Sequence, residues 1–414
     1  SGYYNQGLYT LGYTNLKLKQ YYNSIKMFSE FIVNSHYSKD KVFIDDATNR
    51  IADNYFVQKS FKDAVVYYDK VINADAIDAD YAMYQKGLSY GALCRYQDKV
   101  ECLNLLMSRY PNSKYVMMSN FEIANTFLLN DNQEMALKFY NIFLLKYPNS
   151  SYAKEALLKI GVINYNLSNE EAALESLDKV LKNYPGTSES RDALLTIKNI
   201  YVNQNRVDEY FKYVKQNTKL SISTVEQDSI TFYAAEARYM EADCQAAILA
   251  FEAYLDKFPN GLFTLTANYY LADCQLRSGS MWKALPYYEY VAKQPKSQYT
   301  EVALLNVANI AFNIKNYAKS NEYFNKLAET SEIDANILQA SVGVMRTWYL
   351  LENYSNTIQS ATNLLQNERL TNELREEANY LIAKSYYNLG DTAAARQAFE
   401  PMKQSTNGAY AGEA

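Results

Sequence analysis

Three copies of one phrase stand at equal intervals: Tyr110-Pro111-Asn112-Ser113, Tyr147-Pro148-Asn149-Ser150 and Tyr184-Pro185-Gly186-Thr187, with their tyrosines 37 residues apart each time. A fixed period of this length marks a chain built from one supersecondary unit, repeated and stacked. A small residue keeps the same beat at Ser24, Ala64, Ala136, Ala173, Ala247, Ala284, Ser320, Thr357 and Ala395, with Lys99 and Tyr210 substituting in the ladder. Four residues after each comes a large apolar side chain, such as Phe28, Tyr68, Leu103, Tyr140, Leu177, Val214, Phe251, Tyr288, Phe324 and Phe399; Ala361 alone breaks the row. Twelve residues before each comes another small one, as at Gly12, Ala52, Gly87, Ala124, Gly161 and Ala235, with Lys198 and Met345 the exceptions.

This pattern predicts a helical hairpin. Small residues on both helices let the backbones approach, and the large residue one turn further on fills the hole beside them. Apolar stripes such as Leu174, Leu177, Val180 and Leu181 have helical spacing. Pro111, Pro148, Pro185, Pro259 and Pro295 fall where one hairpin ends, because proline cannot continue a helix. The Asn or Ser after such a proline is expected to cap the next helix. Eleven units begin near Asn5, Asp45, Asp80, Met117, Lys154, Arg191, Asp228, Leu265, Glu301, Leu338 and Glu376.

The pattern resembles the tetratricopeptide repeat, whose signature is W-x2-L-G-x2-Y, then A-x3-F, then P. Leu11-Gly12 and Ile160-Gly161 stand at the L-G position, and Tyr55, Tyr90 and Tyr386 at the Tyr position. Ala64 with Tyr68, Ala136 with Tyr140, and Ala284 with Tyr288 stand at A-x3-F. The first position is almost never Trp here, and the period is 37 rather than about 34. The resemblance implies an all-α fold: an α-solenoid of about eleven helix-turn-helix repeats forming a right-handed superhelix over residues 1–414. The degenerate repeat at 191–228, where Lys198 and Tyr210 replace small residues, is the expected joint, with an altered rotation between repeats. The longer loop, worded P-N-S-x-Y, is similar to bacterial cell-envelope members of the superfamily, including outer-membrane assembly lipoproteins and the Tol–Pal coordinator. That likeness implies a periplasmic or outer-membrane-associated protein of a Gram-negative bacterium, with a cytoplasmic location as the alternative.

The chemistry points to a non-enzyme. With His36 the only histidine, neither a Ser-His-Asp triad nor a Cys-His pair can be assembled. No phosphate-binding or dinucleotide glycine motif appears. Asp45-Asp46 and Glu376-Glu377 stand at expected helix starts, where a carboxylate favours the helix dipole. Cys94, Cys102, Cys244 and Cys274 lack metal-ligand spacing and are expected to be buried or half-buried free thiols, a Cys94–Cys102 bridge being the minor alternative. No catalytic, cofactor or metal residue is assigned. A net charge of −5 and the lack of a long basic run argue against nucleic acid. No stretch is apolar enough for a membrane span.

What remains is surface. In the family, the fifth and twelfth positions of each first helix point into a concave groove. Carried over, the fifth positions include Tyr9, Tyr84, Phe121, Phe232, Tyr269 and Tyr380, with Asn49, Leu158, Leu305 and Val342 between. The twelfth include Phe56, Tyr165, Tyr239, Phe312, Tyr349 and Tyr387. Each aromatic could equally pack between helices; as a set they suggest a groove for a peptide or partner protein. The clamp that chaperone-binding relatives use for a C-terminal carboxylate cannot be assembled here. A carbohydrate-binding module stacking sugars on tyrosine is the alternative, although neither Trp282 nor Trp348 stands where it would favour this.

Two irregularities carry their own expectations. Pro286, inside a second helix, predicts either a kink at Leu285 or a helix that starts after Trp282. Residues 407–414 repeat the wording that opens a first helix at 149–156, so the chain reads as a segment of a longer array that continues into a twelfth hairpin, with self-association through the uncapped end. Ser1-Gly2 in place of an initiator Met fits an excised or processed chain.

Overall fold

The computed structural model describes residues 2–218, 220–400 and 402. The described residues form 22 α-helices and no strand. They fall into two compact units, one up to Ile200 and one from Tyr201. The first unit holds α1 (Gly2–Lys17) and α2 (Tyr21–Asn34), α3 (Tyr37–Val57) and α4 (Phe61–Asn73), and α5 (Ala79–Ala92) and α6 (Tyr96–Arg109). It continues with α7 (Tyr115–Leu129) and α8 (Gln133–Lys146), then α9 (Ala153–Asn166) and α10 (Glu170–Asn183); α11 (Ser188–Asn203) crosses the boundary. The second unit holds α12 (Val207–Asn217), α13 (Thr224–Met240) and α14 (Cys244–Lys257), and α15 (Thr264–Arg277) and α16 (Met281–Lys293). Then come α17 (Thr300–Asn313) and α18 (Tyr317–Thr330), α19 (Asp334–Leu350) and α20 (Tyr354–Leu365), and α21 (Asn372–Asn388) and α22 (Thr392–Phe399). From α1 to α10 and from α12 to α22, consecutive helices pack on one another, the arrangement of an α-solenoid.

The two ladders are the core. Ser24, Ala64, Ala136, Ala173, Ala247, Ala284, Ser320 and Thr357 are fully buried, as are Phe28, Tyr68, Leu103, Tyr140, Leu177 and Phe251. Small and large meet as the spacing requires. A Cβ added at Gly12 would lie 2.6 Å from the Phe28 ring, one at Gly161 2.6 Å from Leu177, and one at Gly87 2.8 Å from Leu103. Where the second-helix residue is serine, its hydroxyl donates across the contact: Ser24 Oγ to the Gly12 carbonyl and Ser320 Oγ to that of Ala308, both at 2.8 Å. In the sixth repeat Tyr210 is buried, whereas Lys198 is only half-buried beside fully buried Ile197 and Ile200.

Each hairpin turn has three residues, and the middle one is left-handed. The φ values are positive at Lys19, Lys59, Cys94, Asp131, Ser168, Asn205, Ala242, Lys315 and Glu352, and at Gly279 and Gly390. The αL residue lets its own N–H and the next one return to the last carbonyls of the first helix, as Lys315 N does to Phe312 O at 2.9 Å and Asn316 N to Ala311 O at 2.8 Å. A non-glycine residue is strained there by roughly 1–2 kcal/mol, part of which glycine's extra unfolded-state entropy cancels. Ala242→Gly and Lys315→Gly should therefore each raise stability by about 0.5–1 kcal/mol in a urea titration. No gain at either site would contradict this account of the turn.

The prolines end helices as expected: α6, α8, α10, α14 and α16 stop just before Pro111, Pro148, Pro185, Pro259 and Pro295. The expected caps are corrected. The next helices begin three to five residues after the proline, and α7 and α9 have no side-chain cap. Asn132, Asp243, Asn316, Asn353 and Asp391, inside the hairpin turns, accept from the backbone three residues on. The reason is geometric: the short hairpin turn leads straight into a helix, whereas the proline loop first makes a turn of its own.

The expectation of a late helix at Pro286 is also corrected, since α16 begins at Met281 and runs on through the proline. Pro286 is exposed, so water can reach the carbonyl that the ring leaves unpaired. Pro286→Ala should stabilise by about 2 kcal/mol, the interior-helix penalty less the unfolded-state entropy restored, read as a higher melting midpoint.

All four cysteines are free thiols; Cys102 and Cys274 are buried and Cys244 half-buried, but Cys94 is exposed because it occupies a left-handed turn position. The expected twelfth-hairpin wording at 407–414 lies outside the described residues.

Candidate partner-binding face

The first helices carry the predicted aromatic positions, and the structure divides them into two groups. Tyr84, Phe121, Phe232 and Tyr380 are buried, so they are corrected from groove lining to core. Tyr380 packs against Phe399 of its own second helix at 6.3 Å; for the other three the cause is a contact between repeats. The ring that closes each loop phrase lies against the fifth-position ring of the preceding repeat: Tyr115 on Tyr84 at 5.1 Å, Tyr152 against Phe121 at 4.9 Å, Phe263 on Phe232 at 4.3 Å, and Tyr299 on Tyr269 at 4.3 Å. The last tyrosine of P-N-S-x-Y is thus a rivet between repeats, and Tyr269 is half-buried beneath it. Of the intervening fifth positions, Asn49 and Val342 are buried and Leu158 and Leu305 half-buried.

The twelfth positions stay nearer the surface. Phe56, Tyr165, Tyr239, Phe312 and Tyr349 are half-buried and Tyr387 is 62% exposed. Phe56, Phe312 and Tyr349 make edge contacts with Phe61, Tyr317 and Tyr354 at the start of their own second helices. Tyr239 stacks on Tyr270 at 4.1 Å and donates to Asp273 at 3.0 Å.

A polar network links the first three repeats. Tyr9 and Tyr13 donate to Asp46 Oδ2 at 2.6 and 2.5 Å, and Arg50 pairs with Asp46 at 3.3 Å and Asp53 at 2.5 Å. Tyr68 and Tyr81 both donate to Asp53 Oδ1 at 2.8 Å. Tyr9 joins α1 to α3 through Asp46, and Tyr81 joins α5 to α3 through Asp53. Burial raises the Asp53 carboxyl more than Arg50 and the two phenols lower it.

In the second unit a cavity of about 380 Å³ opens among α17, α19 and α21. Phe324, Val342 and Gly343 floor it, Phe312 and Leu338 wall it, and the amides of Asn309 and Gln339 stand at its edge beside Arg346. Arg346 makes a two-pronged ion pair with Glu377 of the next repeat at 2.6 and 2.7 Å. Sequence reasoning missed Asp46, Asp53, Asn309, Gln339 and Arg346. They occupy the second and ninth positions of their repeats, so counting those positions beside the fifth and twelfth would have found them.

Burial pushes the Tyr9 phenol, helped by its bond to Asp46, and the Tyr210 phenol up to about 12, and raises Tyr68, Tyr140, Tyr254 and Tyr288 as well. Unfolded tyrosine ionises near 10, so between about pH 10 and 12 the unfolded chain holds fewer protons than the native one. These groups therefore stabilise fully below pH 10, and that stability falls as pH rises through the raised values. A melting midpoint that stays flat from pH 9.5 to 11.5 would contradict this.

Models of the tetratricopeptide repeat match residues 81–113, 155–187 and 377–400, and a second such model matches 233–299. The chain carries tetratricopeptide repeats at these residues, and neither model is that of a catalytic family. No curated protein matches. Among solved structures, one of Naa15/Naa10 bound to HypK-THB aligns over 97% of this chain at 14% identity with a TM-score of 0.45; the chain spans 64% of that protein's length. A tetratricopeptide repeat protein from Parabacteroides merdae aligns over 65% of this chain and 98% of its own, at 14% identity and TM-score 0.32. A human IFIT1 dimer with PPP-AAAA aligns over 96% and 90%, at 14% identity and TM-score 0.28. Among the described residues no helix is long and apolar enough to cross a membrane.

Proposed function

We propose that the chain is a non-catalytic scaffold that grips a peptide or partner protein along its first-helix face, in a bacterial cell envelope. The observation that carries the reading is the cavity bounded by Phe312, Leu338, Val342 and Arg346, where apolar floor and free amides lie side by side. An apolar recess with a few placed polar groups suits an anchoring side chain and its neighbouring peptide bond. In the second unit the half-buried ring of Tyr349 and the exposed ring of Tyr387 stand at the same repeat position as Phe312, and Phe56 and Tyr165 hold that position in the first unit. The envelope location is supported by the loop wording. Sugar stacking is less favoured: Tyr84, Tyr239 and Tyr269 already spend a ring face on another ring, and exposed Trp282 lies on a second helix.

Photo-crosslinking tests the reading. A benzophenone side chain at Gln339 should capture partner in cells, and Leu338→Asp should abolish that capture. The same group at Leu249, exposed on second helix α14, should not capture it. Equal capture from Leu249 would overturn the assignment of the face. Fractionation of the host cell checks the compartment.

A further inference from the structure

A second recess lies in the first unit, between α1, α3 and the loop joining α4 to α5, with a volume of about 390 Å³. Asn49 lines it. This amide is fully buried, yet neither its Oδ1 nor its Nδ2 has a hydrogen-bond partner. A buried amide left unpaired weakens the free protein, and repeat packing does not call for one. The equivalent positions of other repeats hold Leu158 and Leu305, which suit the same helix face.

The charges around it are unbalanced. Asp45, Asp46, Asp75 and Asp78 line the recess against one cation, Lys41. Two of these acids are occupied: Asp46 by Tyr9, Tyr13 and Arg50, and Asp75 by Arg109 and Tyr110. Among the described residues, the carboxylates of the other two, Asp45 and Asp78, have no hydrogen-bond or ion-pair partner. Asp45 is half-buried, and burial raises its carboxyl against the pull of Lys41 one turn away. Among the described residues no three ligands are grouped to hold a metal ion. The rest of the wall is apolar, with Phe43 51% and Ile77 82% exposed. Those two surfaces suit an aliphatic stem, the acids suit a cation at its tip, and Asn49 suits the donor and acceptor of a peptide bond.

We infer that this recess receives a lysine side chain of an extended partner peptide. The ammonium sits between Asp45 and Asp78, the stem lies on Phe43 and Ile77, and Asn49 bonds the adjoining backbone. The inference rests on the scaffold reading and specifies part of what the scaffold would hold. It is opposite in charge to a site for a terminal carboxylate.

The test uses the whole chain and a fluorescein-tagged peptide of alternating lysine and glycine, with binding read by anisotropy. The lysine peptide should bind at least tenfold more tightly than its norleucine or glutamate counterparts. Asn49→Leu should keep or raise the melting midpoint while weakening the lysine peptide about tenfold, and Asp45→Asn should weaken it similarly. Equal binding of lysine and norleucine peptides overturns the inference. So does an Asn49→Leu variant that binds like the parent, or one that melts lower, since the amide would then be structural. Displacement by spermidine as effective as by the unlabelled peptide would assign the site to free amines and overturn the peptide reading. None of these failures touches crosslinking at Gln339, which lies in the other unit, so the two readings fail separately.

Discussion

Glu122→Ala should destabilise the first unit by about 3 kcal/mol or more, the usual result of stranding a buried charge. Its partner, Lys99, stands on α6 at a ladder position that most other repeats fill with a small residue. Lys99 is 4% exposed, its Nζ is 2.6 Å from Glu122 Oε2 on α7, and its stem runs past Gly91. Once the carboxylate is gone, the ammonium has no other ion-pair partner among the described residues and little water. The converse change is milder. Lys99→Met keeps the stem and leaves Glu122, which is more exposed and still accepts from Asn125 at 3.3 Å. Lys99→Met with Glu122→Gln should return close to the parent, because apolar replacement of a buried pair is often neutral. Urea midpoints of the three variants decide it. A Glu122→Ala loss under about 1 kcal/mol would show that the pair is solvated.

Met345→Ala should cost about 2–5 kcal/mol, and a second substitution should repair most of it. Met345 and Ala361 are the two exceptions in the ladders of the tenth repeat. Both are fully buried and share one core cluster with Val342, Leu364 and Leu381. The large side chain has moved from the second helix to the first, so the two exceptions are one exchange of size. Ala361→Leu alone should overpack by about 1–3 kcal/mol. In the double variant the volumes fall back into the order of the other repeats. Full additivity of the two losses would refute the exchange, whereas a coupling of at least about 1 kcal/mol is the expected result for side chains in contact.

The sequence by itself determined the helices, their pairing into repeats and the identity of the core. Those features depend on spacing within one chain segment: small at one position, large four residues on, and proline after the second helix. Local sterics alone make that pattern readable. Tertiary structure decided the rest. The left-handed turn residue recurs in every hairpin, but glycine marks it only at Gly279 and Gly390, because the turn's returning hydrogen bonds hold Lys, Glu or Ala in the same conformation. Asn132, Asp243, Asn316, Asn353 and Asp391 cap their helices because the last residue of a three-residue turn stands directly before the next helix. Tyr84, Phe121 and Phe232 belong to the core because the aromatic of the following loop, 31 residues later in the chain, lies against each. No periodicity within a helix contains that contact. The face left for a partner is therefore what inter-repeat packing does not cover, and that remainder becomes visible only when neighbouring repeats are in place.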